Sequence, residues 1–153
     1  YLDKVGIDNI LLPVGHRIAF ADRVDLAPCD GSGCRAEQSM RMGLGWRIFD
    51  EAIETVNAHL AKLPSLWVEE GARCVLVIDE LGPLELRGKG GLSEAMALLE
   101  RGPQGRATDA IVIVRESLVV EAEERYAPHW GGSCRIAPGE SSRAIVRSIL
   151  DIE

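Results

Sequence analysis

The chain carries 24 acidic and 17 basic side chains over 153 residues, which gives a formal charge of −7. That length suits one domain. The acidic balance and the lack of a basic run argue against a nucleic-acid partner. No apolar run approaches the ~20 residues that cross a bilayer, so we expect no membrane partner either.

Four cysteines are too few and too scattered for a disulfide framework, so we expect reduced thiols in a cytoplasmic protein. They are Cys29, Cys34, Cys74 and Cys134. The spacing of Cys29 and Cys34 is loose for zinc, and His16 or Cys134 would have to complete such a site through space. Plain thiols are the favoured interpretation, and a metal site is the alternative.

The N-terminal third predicts a β-hairpin and then a long loop. Apolar runs at 10–14 and 17–21 flank a turn with Pro13 and Gly15, a pattern typical of two antiparallel strands. Residues 22–45 carry no periodicity and are rich in glycine, which predicts a loop.

From residue 46 onward, apolar patterns of strand and helix alternate. Predicted helices cover 50–63, 93–101 and about 118–126, and we predict Ser141 as the cap of a final amphipathic helix. Predicted strands lie at 74–78, 110–114 and 134–136. We predict Asp50 as the N-cap of the first of these helices and Pro64 as its end. In the final helix we expect an inward stripe, formed by Ala144, Ile145, Ile149 and Leu150. The alternation predicts a mostly parallel sheet in three α/β/α layers.

The most informative stretch is residues 74–86, CVLVIDELGPLEL. Five apolar residues run into Asp79 and Glu80, and a strand that is apolar on both faces belongs inside a covered sheet. Carboxylates at the C-terminal end of such a strand lie where open α/β sheets bind ligands. The pattern predicts a Walker B strand, in which Asp79 holds Mg²⁺ and Glu80 acts on the attacking water.

Two further charged residues are candidates for the same site. Glu85 either lines the cleft, orients the groups around the metal or is a solvated turn acid. Arg115 ends the second buried strand, at the same edge of the sheet as Asp79 if the two strands are parallel. Its guanidinium could stabilise charge on a γ-phosphate, with a surface ion pair to Glu116 or Glu121 as the alternative.

The stretch 82–90, GPLELRGKG, is similar to a phosphate-binding loop of the form G-x-x-x-x-G-K-[ST], but it does not fit that pattern. Its first glycine is one position too early, and Gly90 has no hydroxyl for Mg²⁺. The stretch also follows the acidic strand end, whereas such a loop joins a strand to a phosphate-binding helix. Lys89 could still reach a bound nucleotide.

Residues 74–86 resemble the Walker B segment of the small THEP-type nucleoside-triphosphatases, which are P-loop proteins. Three other segments are similar to family elements in the same order: 18–21 to an antiparallel insert, 45–49 to the lead-in of a helix, and 112–118 to a later strand. The resemblance implies a Rossmann-like P-loop sheet with an N-terminal antiparallel hairpin. It also implies Mg²⁺ and hydrolysis of nucleoside triphosphates, such as ATP or GTP, to diphosphates.

The motif match carries three roles over to this chain. Asp79 matches the Mg²⁺ carboxylate, Glu80 the water-activating base, and Glu85 the acid that closes the segment. The family also begins with a strand, a Walker A loop and a helix, which this sequence lacks. We therefore expect one domain over 1–153, truncated at its N-terminus, which by itself binds nucleotide poorly.

Two other functions are compatible with these residues. One is a non-catalytic regulatory or assembly module on a degenerate NTPase fold. The other is a nucleotide or small-molecule kinase, which needs an acceptor site and a lid that we do not find in the sequence.

Overall fold

The computed structural model describes residues 5–26, 35–68, 70–88, 90–137 and 139–150. Its elements in chain order are β1 (Gly6–Leu11), β2 (His16–Arg23), α1 (Glu37–Arg41), β3 (Trp46–Ile48), α2 (Asp50–Leu60), α3 (Leu63–Trp67), β4 (Cys74–Leu81), α4 (Pro83–Leu86), α5 (Ser93–Arg101), β5 (Ala107–Val114), α6 (Val119–Tyr126) and α7 (Glu140–Leu150). Short 3-10 helices at Glu116–Leu118 and Ala127–Trp130 flank α6. Within these ranges, none of the helices is both long and apolar enough to span a membrane.

The N-terminal strands form a three-stranded antiparallel sheet in the order β1-β2-β3. The β1–β2 hairpin closes at the pair Leu11–His16, so its tight turn contains the predicted Pro13 and Gly15. Strand β3 then pairs with the end of β2, with Ala21 opposite Ile48. The hairpin therefore extends further than predicted, and the segment predicted as a lead-in to a helix is itself a strand.

The second sheet contains only β4 and β5, which pair in parallel. One face packs on the helices, and its core includes Leu81, Leu98 and Leu99, each at most 1% exposed. Burial of a leucine side chain of this kind contributes about 2 kcal/mol. The opposite face is open, because Val77 is 46% and Ile113 is 52% exposed.

The predicted mostly parallel, three-layer α/β/α sheet of P-loop type is wrong. The described residues form two separate sheets, one antiparallel and one a parallel pair covered by helices on one face. Apolar residues on both faces of β4 and β5 suggested a central position in a larger sheet. The predicted strand at 134–136 does not form. Instead, Arg135 reaches back to α6, where its Nε lies 2.9 Å from Oε1 of Glu123.

Two helix boundaries differ from the prediction. Helix α2 ends at Leu60, and Pro64 lies in the first turn of α3, where a missing N–H costs nothing. Asp50 is the first residue of α2 rather than its N-cap. Its buried carboxylate accepts the backbone N–H of Glu37, at 2.9 Å, and so caps α1 within the predicted 22–45 loop.

The final helix begins at Glu140, so Ser141, the predicted cap, lies in its first turn. Its stripe does not face a core as predicted, since Ala144 is exposed and Ile145 is 42% exposed. The side chains of Ile149 and Leu150 lie outside what the structure describes. An amphipathic pattern alone identifies a helix, but it does not supply the surface that covers its apolar side.

Candidate active site

The carboxyl ends of β4 and β5 bring together three of the predicted site residues, Asp79, Glu80 and Arg115. Because the strands are parallel, both end at the same edge. The register shifts between the pairs Ile78–Val112 and Leu81–Val114, so that Asp79 and Glu80 together oppose a single residue of β5. Irregularities of this kind re-aim side chains at strand ends. Both carboxylates are exposed. We call this group the carboxyl edge.

Arg115 is paired with Glu80. Its Nε donates to Oε1 of Glu80 at 2.9 Å, and the two side chains are 58% and 52% exposed. The sequence left an ion pair with Glu116 or Glu121 as the alternative, but Glu121 instead accepts Nε–H of Arg87 at 3.1 Å. An exposed pair of this kind stabilises a fold by at most about 1 kcal/mol.

Asp79 has no hydrogen-bond or ion-pair partner among the described residues. A carboxylate oxygen is a ligand that Mg²⁺ prefers, and Mg²⁺ sites commonly use one or two carboxylates together with waters and substrate phosphates. No group of three or more His, Cys, Asp or Glu side chains in the described ranges is arranged to hold a metal by itself. Asp79 is therefore a single exposed carboxylate, which does not form a metal site by itself.

Glu85 lies in a different environment from the other two acids. It is 8% exposed, and its two oxygens accept the backbone N–H groups of Gly82, at 2.9 Å, and Leu92, at 3.1 Å. Burial raises the pKa of this carboxyl, the two N–H groups oppose the rise, and the negative charge of Glu80 adds to it. Glu85 is thus not the solvated turn acid that the sequence allowed. It joins the start of α4 to the start of α5.

Two amides complete the attachment of that loop. Gln38 Oε1 accepts the N–H of Gly91 at 2.9 Å. Asn57 donates to the carbonyl of Gly91 at 3.0 Å and accepts the N–H of Glu94 at 3.1 Å. We call Gln38, Asn57 and Glu85 the loop clamp, because side chains from α1, α2 and α4 hold the backbone of 91–94.

Sequence reasoning missed Gln38 and Asn57. They lie 53 and 34 residues from Gly91 along the chain, and no local pattern signals such pairs. Gly91 is a signal that could have been used, because it has a φ of +70°. A Cβ at this position would lie 2.0 Å from Oε1 of Glu85, so the clamp requires glycine there.

The predicted nucleotide contact and the cysteine pair of the alternative metal site are not part of this geometry. Lys89, Cys29 and Cys34 lie outside the residues that the structure describes. Cys74 and Cys134 are free thiols.

No family model, curated protein or solved structure matches the chain. The resemblance to the THEP-type nucleoside-triphosphatases therefore stays a prediction based on residues 74–86.

Proposed function

We propose that the carboxyl edge is the catalytic half of a Mg²⁺-dependent nucleoside-triphosphatase, which hydrolyses a triphosphate such as ATP or GTP to the diphosphate. One observation carries the proposal. Two exposed acids and an arginine meet at the ends of two parallel strands, with Arg115 Nε 2.9 Å from Glu80 Oε1. Carboxylates that hold a metal and act on water, beside a cation for phosphate charge, are the groups that phosphoryl transfer to water needs.

Each residue has a distinct role in this proposal. Asp79 would hold Mg²⁺, which when bound neutralises charge on the β- and γ-phosphates. Glu80 takes a proton from water as the water oxygen bonds to the γ-phosphorus. The bond between that phosphorus and the bridging oxygen breaks, and its electron pair stays on the diphosphate. Arg115 stabilises the charge on the γ-phosphoryl group, and the proton passes from Glu80 to solvent.

The proposal requires a phosphate-binding loop from outside these 153 residues, because the 82–90 stretch does not fit one. Lys89 would contribute a further contact to the nucleotide. The loop clamp supports the site indirectly, because Glu85 fixes the turn directly after β4. We expect this chain alone to bind nucleotide weakly and to release little phosphate.

The decisive experiment replaces Glu80 in the full-length protein. Glu80→Gln keeps the size of the side chain but removes the base, so phosphate release should fall by roughly 10²- to 10⁴-fold while nucleotide binding persists. Calorimetry measures the binding, and a phosphate assay measures the turnover. The matched control is Glu124→Gln, a change at an exposed acid of α6 that should leave both unchanged. Undiminished phosphate release from Glu80→Gln would refute the assignment.

A non-catalytic assembly module is the second candidate. It is favoured by the open face of β4 and β5, where Val77 and Ile113 are about half exposed. An apolar sheet face that stays exposed is a surface on which a partner could pack. The double variant Val77→Ser, Ile113→Ser tests this candidate. If it no longer binds the partner that the parent protein binds, and if the parent protein releases no phosphate, the module is favoured over the enzyme.

A further inference from the structure

The proposed base is not free in this structure. Oε1 of Glu80 accepts Nε–H of Arg115 at 2.9 Å. This hydrogen bond holds the carboxylate of Glu80 toward Arg115 through Oε1, so the contact fixes the orientation of the proposed base while it lasts. The residue proposed to stabilise phosphate charge is therefore also the one that orients the proposed base.

The fold does not depend on this contact. Backbone pairing already joins β4 to β5 from Cys74–Ala107 to Leu81–Val114. Both side chains of the Glu80–Arg115 pair are more than half exposed, so water and salt screen it. Such a contact is weak enough to exchange for a better partner.

A terminal phosphate is a better partner for this guanidinium. It carries more charge than a carboxylate and offers several oxygens to the planar fork of donors. Among the described residues, Arg115 forms a hydrogen bond only through Nε, so its terminal NH₂ groups are available to an incoming anion. When the guanidinium moves to phosphate, Glu80 loses its partner at the position where the base is needed.

We propose that Arg115 is a positioning residue that holds Glu80 while the carboxyl edge is empty and releases it when a γ-phosphate takes the guanidinium. This regulation rests on the proposed function. It couples the orientation of Glu80 to the presence of a third phosphate. The site therefore senses this phosphate rather than the nucleobase or the sugar.

The test follows the Nε–H resonance of Arg115 by NMR, assigned by its loss in Arg115→Lys. In the full-length protein without ligand, Glu80→Gln should shift this resonance, because a neutral amide oxygen replaces the charged carboxylate as the acceptor. With a Mg²⁺-bound β,γ-imido triphosphate, wild type and Glu80→Gln should show the same resonance position. With a nucleoside diphosphate, the difference between the two proteins should persist.

The chain offers a matched control pair. Arg87 and Glu121 form a similar contact, in which Nε and Oε2 lie 3.1 Å apart and the side chains are 55% and 41% exposed. The Arg87 Nε–H resonance should shift in Glu121→Gln, and this shift should be the same with and without the triphosphate analogue.

Three outcomes overturn the proposal. The first is an Arg115 Nε–H resonance whose position does not change in Glu80→Gln when no ligand is bound. The second is a resonance that still responds to Glu80→Gln when calorimetry shows the analogue bound. The third is a lack of analogue binding, which removes the proposed function together with its regulation. The second outcome rejects the regulation alone, because hydrolysis lost in Glu80→Gln would leave the proposed function intact.

Discussion

Glu80 of the carboxyl edge and Glu85 of the loop clamp lie close together along the chain, yet their surroundings are opposite. Glu80 is half exposed and has one weak partner, whereas Glu85 is buried and accepts two backbone N–H groups. An exposed acid can change partners at little cost. A buried acid must keep its hydrogen bonds, because unsatisfied groups in a protein interior are costly. We therefore expect the side chains of the carboxyl edge to change partners when a ligand binds, and those of the loop clamp to keep theirs.

The most damaging change to the clamp should be Gly91→Ala. An alanine at a φ of +70° is strained, and its Cβ would displace the Glu85 carboxylate from its two N–H groups. We expect the free energy of unfolding to fall by about 3 kcal/mol, measured by urea denaturation. The matched control is Gly43→Ala, which has a φ of +64° with no atom within 4 Å of the new Cβ. It should cost only about 1 kcal/mol, and equal losses would argue against a clamp.

Glu85→Gln tests the burial of the acid. One backbone N–H would then face an amide NH₂, so we expect a loss of about 1–3 kcal/mol. Burial raises the pKa of Glu85 above its ordinary value of 4.5, so the folded state holds the proton more tightly than the unfolded state. The stability from this group is therefore fully present below pH 4.5 and is lost as pH rises through the raised pKa.

The pH dependence sharpens that test. Across acidic to neutral pH, the advantage of wild type over Glu85→Gln should narrow as pH rises. Urea denaturation at several pH values measures it. An advantage that instead grows with pH would mean that Glu85 is stabilised as a charged carboxylate, like an acid of an exposed ion pair.

Asn57→Ala should have a smaller effect. It removes the donor to the Gly91 carbonyl and the acceptor of the Glu94 N–H, so we expect a loss of about 1–2 kcal/mol. Asn57→Asp keeps the acceptor of the Glu94 N–H but places an oxygen opposite the Gly91 carbonyl, so it should not restore the lost stability. Faster amide hydrogen exchange at Gly91 and Glu94 in the alanine variant would tie the loss to the clamp, and unchanged exchange there would contradict it.

The smallest effect on stability is expected from Arg115→Ala. The exposed Glu80–Arg115 pair contributes at most about 1 kcal/mol, so the variant should fold almost as well as the parent protein. Arg87→Ala, which breaks the comparable Arg87–Glu121 pair, should behave alike. A loss above about 2 kcal/mol in Arg115→Ala alone would show that the carboxyl edge is as rigid as the clamp.

The global fold was the part that the sequence predicted worst. Runs of apolar residues in β4 and β5 indicated strands that are covered on both faces, but the described chain covers only one. The pattern of a strand reflects how apolar its two faces are, and it does not say how many neighbours the strand has. The same reasoning explains why the predicted strand at 134–136 does not form. A strand needs a neighbouring strand to pair with, and this segment is instead irregular chain after α6.

The sequence by itself determined that acids end one apolar strand and an arginine ends the next, because β-branched runs and the Gly82–Pro83 turn are local signals. Tertiary structure alone decided that Arg115 contacts Glu80, that Glu85 is buried and that Asp50 caps α1. These outcomes depend on hydrogen bonds and burial between segments that are distant in sequence. Such contacts leave no periodic signal, because each is set by how the helices pack on the strands.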